Sequence, residues 1–525
     1  MKITFLFAAL CTAVASPLRA VASDIHWSNP LGGSFGELTN WSEGVVPGPT
    51  DTGIFATGSP LYSVLLDADR SLAGLSINDD SVAFDLGGFQ LSVVDLSVAA
   101  FQQSHVEFSN GSVVVSEGFN LMPVPIPDPH QGLHEAVLRG STTTGIFPWI
   151  RAFGNGAGRL RIDEGAVVQI TSPAGTGNTG LSIGSRNATA IVEVSGSSML
   201  AVASSIRVGE ISTRHASLHI AGGSQVNSRD TPGDSAGIVG YGSPLQRAFG
   251  SVVITGQSST WVMDGRLTLG NRWADGDVRV LAGGYMESTS GRVAREATAT
   301  GNLLIDGPGS EYHVTERLFV GGSETASGGV GTVAVQNSGR LDVGQQLHVW
   351  SSGTVSLDAS SFAVVGDAPD IAGAVHVGVG GTLSGNGTIV ADVVNSGGVV
   401  SPGASPGLLT IGGDFEQSHG SDLLIELGGL IPGEEFDVLN VLGTATLSGD
   451  LRVTAIDGFT PTPGDTFEFL LADERYGVFD SFIDETGFGL QLNFTGAVGT
   501  LTATVPEPGT GALILLLLAL PVVRR

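Results

Sequence analysis

Short apolar runs separated by Gly, Asp or Asn recur along most of this chain. Early runs lie at Tyr62–Leu66, Leu72–Ile77, Val82–Leu86 and Leu91–Val94, and they alternate with polar residues or are continuously apolar. Runs of this length and spacing, bounded by turn-forming residues, predict β-strands.

From about residue 155 these runs form a repeat. Six of them occupy one slot of the repeating unit: Ala190–Gly196, Ser217–Gly222, Ser251–Gly256, Asp277–Gly283, Asn302–Gly307 and Thr332–Asn337. A second strand follows, and then an apolar-x-apolar-Gly element at Ile206–Gly209, Leu267–Gly270 and Leu318–Gly321. A period of about 24 to 34 residues built from short strands and Gly turns is typical of a stacked solenoid. Stacked units share a core that one unit cannot form alone.

Two further segments resemble parts of bacterial exported β-solenoids. Residues 23–60 follow the order W, GGSF, NW, G, PG, D, F, which resembles the N-terminal opening of such proteins, and these aromatic side chains would cover the open end of the stack. The block Gly385–Ile389 with turns at Ser401–Gly403 and Ser405–Gly407 resembles the C-terminal rungs of autotransporter passengers. The repeats over about 155–355 resemble those of autotransporter passengers and of PEP-CTERM proteins.

The N-terminal end predicts export. Lys2 precedes an apolar run, Ile3–Ala15, and the A-x-A pattern of Ala20 and Ala22 predicts cleavage before Ser23. The chain has 1 cysteine, which lies inside that run, so the expected mature protein has no disulfide and no cysteine ligand or nucleophile.

The C-terminal end carries a tripeptide, a short apolar run and a basic pair. These segments are Pro506-Glu507-Pro508, Ala512–Val523 and Arg524-Arg525. The order resembles the PEP-CTERM sorting signal of Gram-negative envelope proteins, which implies an exosortase-type membrane protease as a partner that removes the tail. A plain C-terminal membrane anchor is the alternative, although the run is shorter than the usual span of about 20 residues.

Together these patterns predict an all-β fold: a right-handed parallel β-helix or solenoid, then a small antiparallel β unit and a short C-terminal apolar helix. The expected divisions are a signal peptide at 1–22, a cap with the first solenoid strands at 23–121, a Pro-rich loop region at 122–154, solenoid repeats at 155–413, a C-terminal β unit at 414–504 and the sorting signal at 505–525.

Composition narrows the range of partners. Charged residues make up 14% of the chain, against about 25% in a typical globular domain, and the formal net charge is −28. A surface this acidic disfavours nucleic acid and anionic lipid. We therefore expect no nucleic-acid partner, and membrane contact only through the C-terminal helix before processing.

No group of residues in the sequence predicts an active site, a cofactor or a metal. Gly32–Gly36 matches G-x-S-x-G but lacks the strand and helix that a nucleophile elbow needs, so we interpret it as a capping turn. His130, His134 and Glu135 do not complete a zinc-protease motif and are interpreted as a solvated loop. Mixed charge is densest within the repeats at Arg292, Arg295 and Glu296, and a solvated corner is expected there.

The sequence therefore favours an exported, non-catalytic protein of the cell envelope, outer surface or extracellular matrix. It would act as a display or adhesion surface towards matrix polysaccharide or other surface proteins, anchored transiently in the inner membrane by its C-terminal helix. The alternative is a β-helix polysaccharide lyase or glycosidase, which a sheet face with three or more stacked Asp, Glu or Arg residues would favour.

Overall fold

The strands stack in parallel into a solenoid with three faces. A computed structural model describes residues 22–98, 104–121, 134–152, 157–171, 180–185, 189–211, 213, 215–230, 235–366, 373–403 and 405–504. Between Asp24 and Asp484 the strands pair in parallel with the equivalent strands of the neighbouring turns, which we call rungs. This confirms the all-β parallel solenoid.

Face 1 is a single parallel sheet with one strand from each rung. Its strands are Gly33–Ser34, Tyr62–Leu65, Ser81–Asp85, His105–Ser109, His134–Arg139, Ala157–Asp163, Thr189–Val194, His215–Ile220, Ala248–Thr255, Ala274–Leu281, Thr300–Asp306, Val330–Gln336, Gly353–Leu357, Thr382–Gly385, Val399–Pro402, Asp422–Leu427, Asp450–Ala455 and Ser481–Asp484. All six runs assigned to one slot of the repeat lie on this face.

Face 2 follows face 1 within each rung, and face 3 completes the turn. Strands on face 2 alone are Thr144–Phe147, Val167–Ile170, Met199–Val202, Gln225–Arg229, Glu311–Val314, Arg340–Val343, Phe362–Val365, Thr388–Val390 and Leu408–Ile411. Those on face 3 alone are Asp24–His26, Thr52–Phe55, Ile150–Ala152, Leu181–Ser185, Ile206–Glu210, Gly237–Tyr241, Arg317–Val320, Gln346–Val349, Ala374–Gly378, Asp392–Ser396 and Phe415–Gln417. Longer strands run through both faces: Arg70–Ile77, Gln90–Val98, Ser112–Leu121, Thr260–Leu269, Tyr285–Val293, Val438–Leu447 and Thr466–Gly477.

The core is a set of vertical columns of apolar side chains. Strands alternate buried and partly exposed positions, as in Ala157–Asp163, because successive side chains point to opposite sides of a sheet. Parallel register then stacks like on like: Leu160 pairs with Val192, and Val192 with Leu218. Each such aliphatic side chain is removed from water, and its burial contributes about 1.5–3 kcal/mol.

Buried hydroxyl groups join successive rungs at the corner between faces 1 and 2. Ser310, for example, accepts a hydrogen bond from the Gly283 N–H of the preceding rung at 3.0 Å and donates one to the Asp306 carbonyl at 2.6 Å. The buried residues that accept a backbone N–H of the preceding rung in this way are Thr143, Ser198, Ser224, Ser259 and Ser310. These bonds satisfy turn N–H groups that a tight corner would otherwise leave unpaired.

The first rung is covered by aromatic side chains. Trp27 and Trp41 pack edge to face with ring centroids 5.1 Å apart, and both contact Phe55. The Trp41 indole N–H donates to the Phe35 carbonyl at 2.8 Å. A 3-10 turn at Leu38–Asn40 precedes Trp41 and is the helical element of the described residues. No helix in the described part of the chain is long and apolar enough to cross a bilayer.

Two divisions differ from those expected. Residues 134–152 of the supposed loop region 122–154 form three solenoid strands, because their alternating apolar residues match the neighbouring rungs. The solenoid also continues beyond 413: among the strands of the described residues, antiparallel pairing involves Thr466–Gly477, Leu490–Thr495 and Val498–Ala503. Apolar alternation marks a strand but not the direction of its neighbour, so the sequence pattern could not separate these cases.

Several predictions fall outside the described residues. They are most of the signal peptide 1–22 with Ala20, residues 122–133 with His130, and the whole segment 505–525, which holds the expected apolar helix, Pro506, Glu507, Pro508, Arg524 and Arg525.

Candidate functional site

Ser34 in the G-x-S-x-G match is part of a capping turn. It ends the first face 1 strand, and its hydroxyl donates to Asp67 Oδ2 at 2.6 Å. The adjacent Phe35 is fully buried against Trp41. The serine therefore has the structural role expected of it.

His134 and Glu135 do not lie in a solvated loop, so that interpretation was wrong. Both are on the face 1 strand His134–Arg139, where the His134 ring points inward and is 3% exposed. Burial lowers the pKa of His134, against a weaker opposing effect of the Asp79 charge. Glu135 points outward, and its Oε2 lies 3.2 Å from His105 Nδ1.

Outward side chains on face 1 form a ladder of alternating charge across consecutive rungs. Arg159 lies 4.0 Å from Glu135 on one side and 3.7 Å from Glu193 on the other. Arg161 lies 2.8 Å from Asp163 and 3.6 Å from Glu193. The members of this charge ladder are His105, Glu107, Glu135, Arg139, Arg159, Arg161, Asp163 and Glu193.

The charge ladder meets the criterion of stacked Asp, Glu and Arg residues on one sheet face. Its side chains are 15–34% exposed, and its four carboxylates contact arginines on their own or neighbouring rungs. Ion pairs of this exposure each contribute at most about 1 kcal/mol to the free energy of unfolding. Their arrangement presents a regular polar surface to solvent.

The patch at Arg292, Arg295 and Glu296 divides between two places. Arg292, whose side chain is 12% exposed, pairs on face 3 with Glu324, with 3.1 Å between Nε and Oε1. Although burial opposes it, the hydrogen bond and charge of Arg292 lower the pKa of Glu324. Arg295 and Glu296 lie at the next corner, where Glu296 also pairs with Arg272 at 3.3 Å.

That corner exposes Trp273. The side chain is 40% exposed and its backbone φ is +47°, a left-handed conformation that bulky residues rarely adopt. Its N–H donates to Thr298 Oγ1 at 3.2 Å, and its carbonyl accepts the Ala248 N–H at 3.3 Å. An exposed tryptophan held in a strained backbone beside arginines can stack on a ligand ring, and strain of this kind is found at binding sites.

A cleft of about 580 Å³ with a mixed polar and apolar lining opens along the outward side of face 2. Asn227 and Arg229 lie on one strand, and Asp264 pairs in register with Arg229 on the next. The lining residues are Gln169, Ile170, Thr171, Ala201, Val202, Ala203, Asn227, Ser228, Arg229, Val262 and Asp264. Amide, hydroxyl, guanidinium and carboxylate groups together can donate to and accept from the hydroxyl groups of a sugar.

Further along face 2, ligand atoms of Glu311, His313 and Asp342 lie within 4.8 Å of one another. Sequence reasoning missed this group. The available signal was the spacing. Glu311 and His313 are two residues apart on one strand, and Asp342 pairs in register with His313 on the following rung. Recognising it requires the register between rungs, because the residues are about 30 positions apart in the chain.

Comparison with known proteins gives one informative similarity. A stretch of 119 residues, 22% of the chain, is 35% identical to the adhesin BmaC autotransporter of Brucella suis biovar 1 (strain 1330). The chain spans 4% of that protein's length. No known protein-family model matches the chain. The similarity is weak homology to an autotransporter adhesin, and it agrees with the parallel solenoid.

Proposed function

We propose that this protein is an exported, non-catalytic adhesive or display protein of the cell surface or extracellular matrix. The observation that carries the proposal is the parallel solenoid of the described residues, whose three faces present long surfaces with regularly spaced strands. Repeat proteins use extended surfaces of this kind for binding. The similarity to an adhesin supports the same assignment.

The ligand that best fits these surfaces is a polysaccharide. The face 2 cleft offers Asn227, Arg229 and Asp264 for hydrogen bonds with sugar hydroxyls, and Trp273 offers an exposed ring for stacking. The net charge of −28 opposes nucleic acid. Matrix polysaccharide is therefore the proposed partner. Its neutral hydroxyl groups, and acidic groups that an arginine can bind, would contact these side chains.

The test uses the extracellular polysaccharide purified from the producing strain, immobilised as the probe. We expect saturable binding of the full-length chain, weakened at least about fivefold, or about 1 kcal/mol, by Asn227→Ala or Arg229→Ala. Asn302→Ala is the matched control, since Asn302 is an exposed asparagine on face 1. Absence of saturable binding, together with a normal matrix in a deletion strain, would refute the adhesive role.

We further propose that an exosortase-type protease sorts the protein through its PEP-CTERM tail after transient anchoring in the inner membrane. The support is the sequence order Pro506-Glu507-Pro508, apolar run, Arg524-Arg525. Mass spectrometry of C-terminal peptides from membrane, periplasm and medium tests it. A chain ending near Pro506–Pro508 outside the cell supports processing, whereas an intact Arg525 found only in membranes indicates a plain anchor.

A β-helix polysaccharide lyase or glycosidase is the second candidate, and the stacked charges of the charge ladder favour it. The ion pairs within the ladder argue against it, because a catalytic carboxylate must be available to the substrate and Arg159 lies close to both Glu135 and Glu193. Product release from acidic and neutral polysaccharides is the assay. Turnover that Glu135→Gln abolishes would establish the enzyme, and no turnover on any of these substrates would exclude this candidate.

A further inference from the structure

A cluster of carboxylates and a histidine on the outward side of face 2 spans three rungs. The strand Glu311–Val314 turns Glu311 and His313 to the same side, because they are two residues apart. His313 pairs in register with Asp342 on the following rung and with Glu287 on the preceding one. Since rungs are about 4.8 Å apart, side chains in one column can reach a common point.

Asp342 is the unusual member of this cluster. It occupies an outward position, yet it is only 5% exposed. Its Oδ2 contacts Arg340 Nη2 at 3.0 Å and lies 3.6 Å from His313 Nδ1, while Oδ1 is buried and has no hydrogen-bond partner among the described residues. A buried carboxylate oxygen without a hydrogen-bond donor is costly, and a second cation bound to this carboxylate would offset that cost.

The local charge is negative. Glu311 and Asp342 both contact the guanidinium of Arg340, and a third carboxylate, Glu287, lies in register with His313 on the preceding rung. Burial raises the pKa of the Tyr285 phenol, and its hydrogen bond to Glu287 and the charges of Glu287, Glu311 and Asp342 raise it further. The three carboxylates outnumber the one guanidinium by two charges, which matches a divalent cation.

We propose that Glu311, His313 and Asp342 bind a divalent transition-metal ion, and that Zn²⁺ fits this ligand set best. One imidazole nitrogen and two carboxylate oxygens suit zinc, whereas calcium prefers oxygen ligands alone. Tetrahedral zinc places its ligand atoms about 3.3 Å apart, so atoms within 4.8 Å need only small side-chain rotations.

Arg340 is the internal competitor for this site. Its side chain is 43% exposed, and it contacts Glu311 Oε1 at 3.6 Å as well as Asp342. Zinc would displace the guanidinium from the two carboxylates towards solvent. Removing this cation should therefore strengthen zinc binding, an effect that a purely structural ion-pair cluster does not produce.

His105 provides a matched comparison on face 1. It also lies between two glutamates, but Glu135 faces its Nδ1 at 3.2 Å and Glu107 faces its Nε2 at 3.9 Å. The two carboxylates stand at opposite ends of the ring, so they cannot bind one ion together with a single ring nitrogen. We expect no contribution of His105 to zinc binding.

Equilibrium dialysis of the full-length, chelator-treated protein against Zn²⁺ tests the proposal, with far-UV circular dichroism as the check on folding. We expect one saturable zinc per chain, an affinity at least about tenfold lower in His313→Gln and Asp342→Asn, and a higher affinity in Arg340→Gln. His105→Gln should bind as the wild type does. Equal affinity of wild type and His313→Gln, or no saturable zinc, would overturn the site. The outcome does not depend on whether the polysaccharide is bound.

Discussion

Asp437 gives the protein a predictable dependence of stability on pH. Its side chain is fully buried next to the Ser-Pro-Gly turns, where Oδ1 accepts the Gly407 N–H at 2.8 Å and Oδ2 accepts the Glu426 N–H at 2.9 Å. Burial raises its pKa from 3.8 to about 7, and the two backbone hydrogen bonds only partly oppose this. The charge of Glu426 adds to the rise.

The direction in which stability changes with pH follows from which state, folded or unfolded, binds the proton more strongly. Well below the ordinary pKa of 3.8 the carboxyl is protonated in both the folded and the unfolded state. Between pH 4 and 7 the folded state keeps the proton that the unfolded state loses, so the free energy of unfolding falls as pH rises. The full difference, from 3.8 to about 7, corresponds to a loss of about 4 kcal/mol by pH 8.

Asp437→Asn isolates this contribution, because asparagine is neutral throughout the range. At pH 5 the variant should be less stable by about 1–3 kcal/mol, since an amide accepts only one of the two N–H groups. By pH 8 the wild type has lost its advantage, and the variant should equal or exceed its stability. Urea unfolding of both proteins at pH 5, 6, 7 and 8 measures the difference. A difference that stays constant over this range would refute the burial argument.

Three further substitutions test the packing of the rungs by urea or thermal unfolding. Ser310→Ala should cost about 0.5–1.5 kcal/mol, because the Gly283 N–H of the preceding rung loses its acceptor on the buried Ser310 hydroxyl; an unchanged midpoint would count against the hydroxyl bonds. Gly385→Ala should cost about 1–3 kcal/mol or more, since its φ is +116° and a Cβ would lie 1.9 Å from the Leu357 carbonyl. Arg161→Gln should cost at most about 1 kcal/mol and less in high salt, and a larger loss would show that the charge ladder is a major stabilising element.

The sequence alone determined the strands and their assignment to a stack. Ala190–Gly196 and Asn302–Gly307 carry the same short apolar pattern, and both lie on face 1 as equivalent strands of different rungs. This was predictable because alternation of apolar and polar residues is a local property. The extent of the stack was less predictable, since the same alternation serves parallel and antiparallel neighbours, as residues 414–484 show.

The tertiary structure decided which polar residues meet. His134 looked like a loop residue but is buried, because strand register and not composition decides which side of the sheet it takes. Glu311, His313 and Asp342 converge through the register of two rungs separated by a turn of variable length. A period that changes from rung to rung hides such columns in the sequence, whereas hydrogen bonding between parallel strands aligns them, and so the candidate sites emerged only from the folded solenoid.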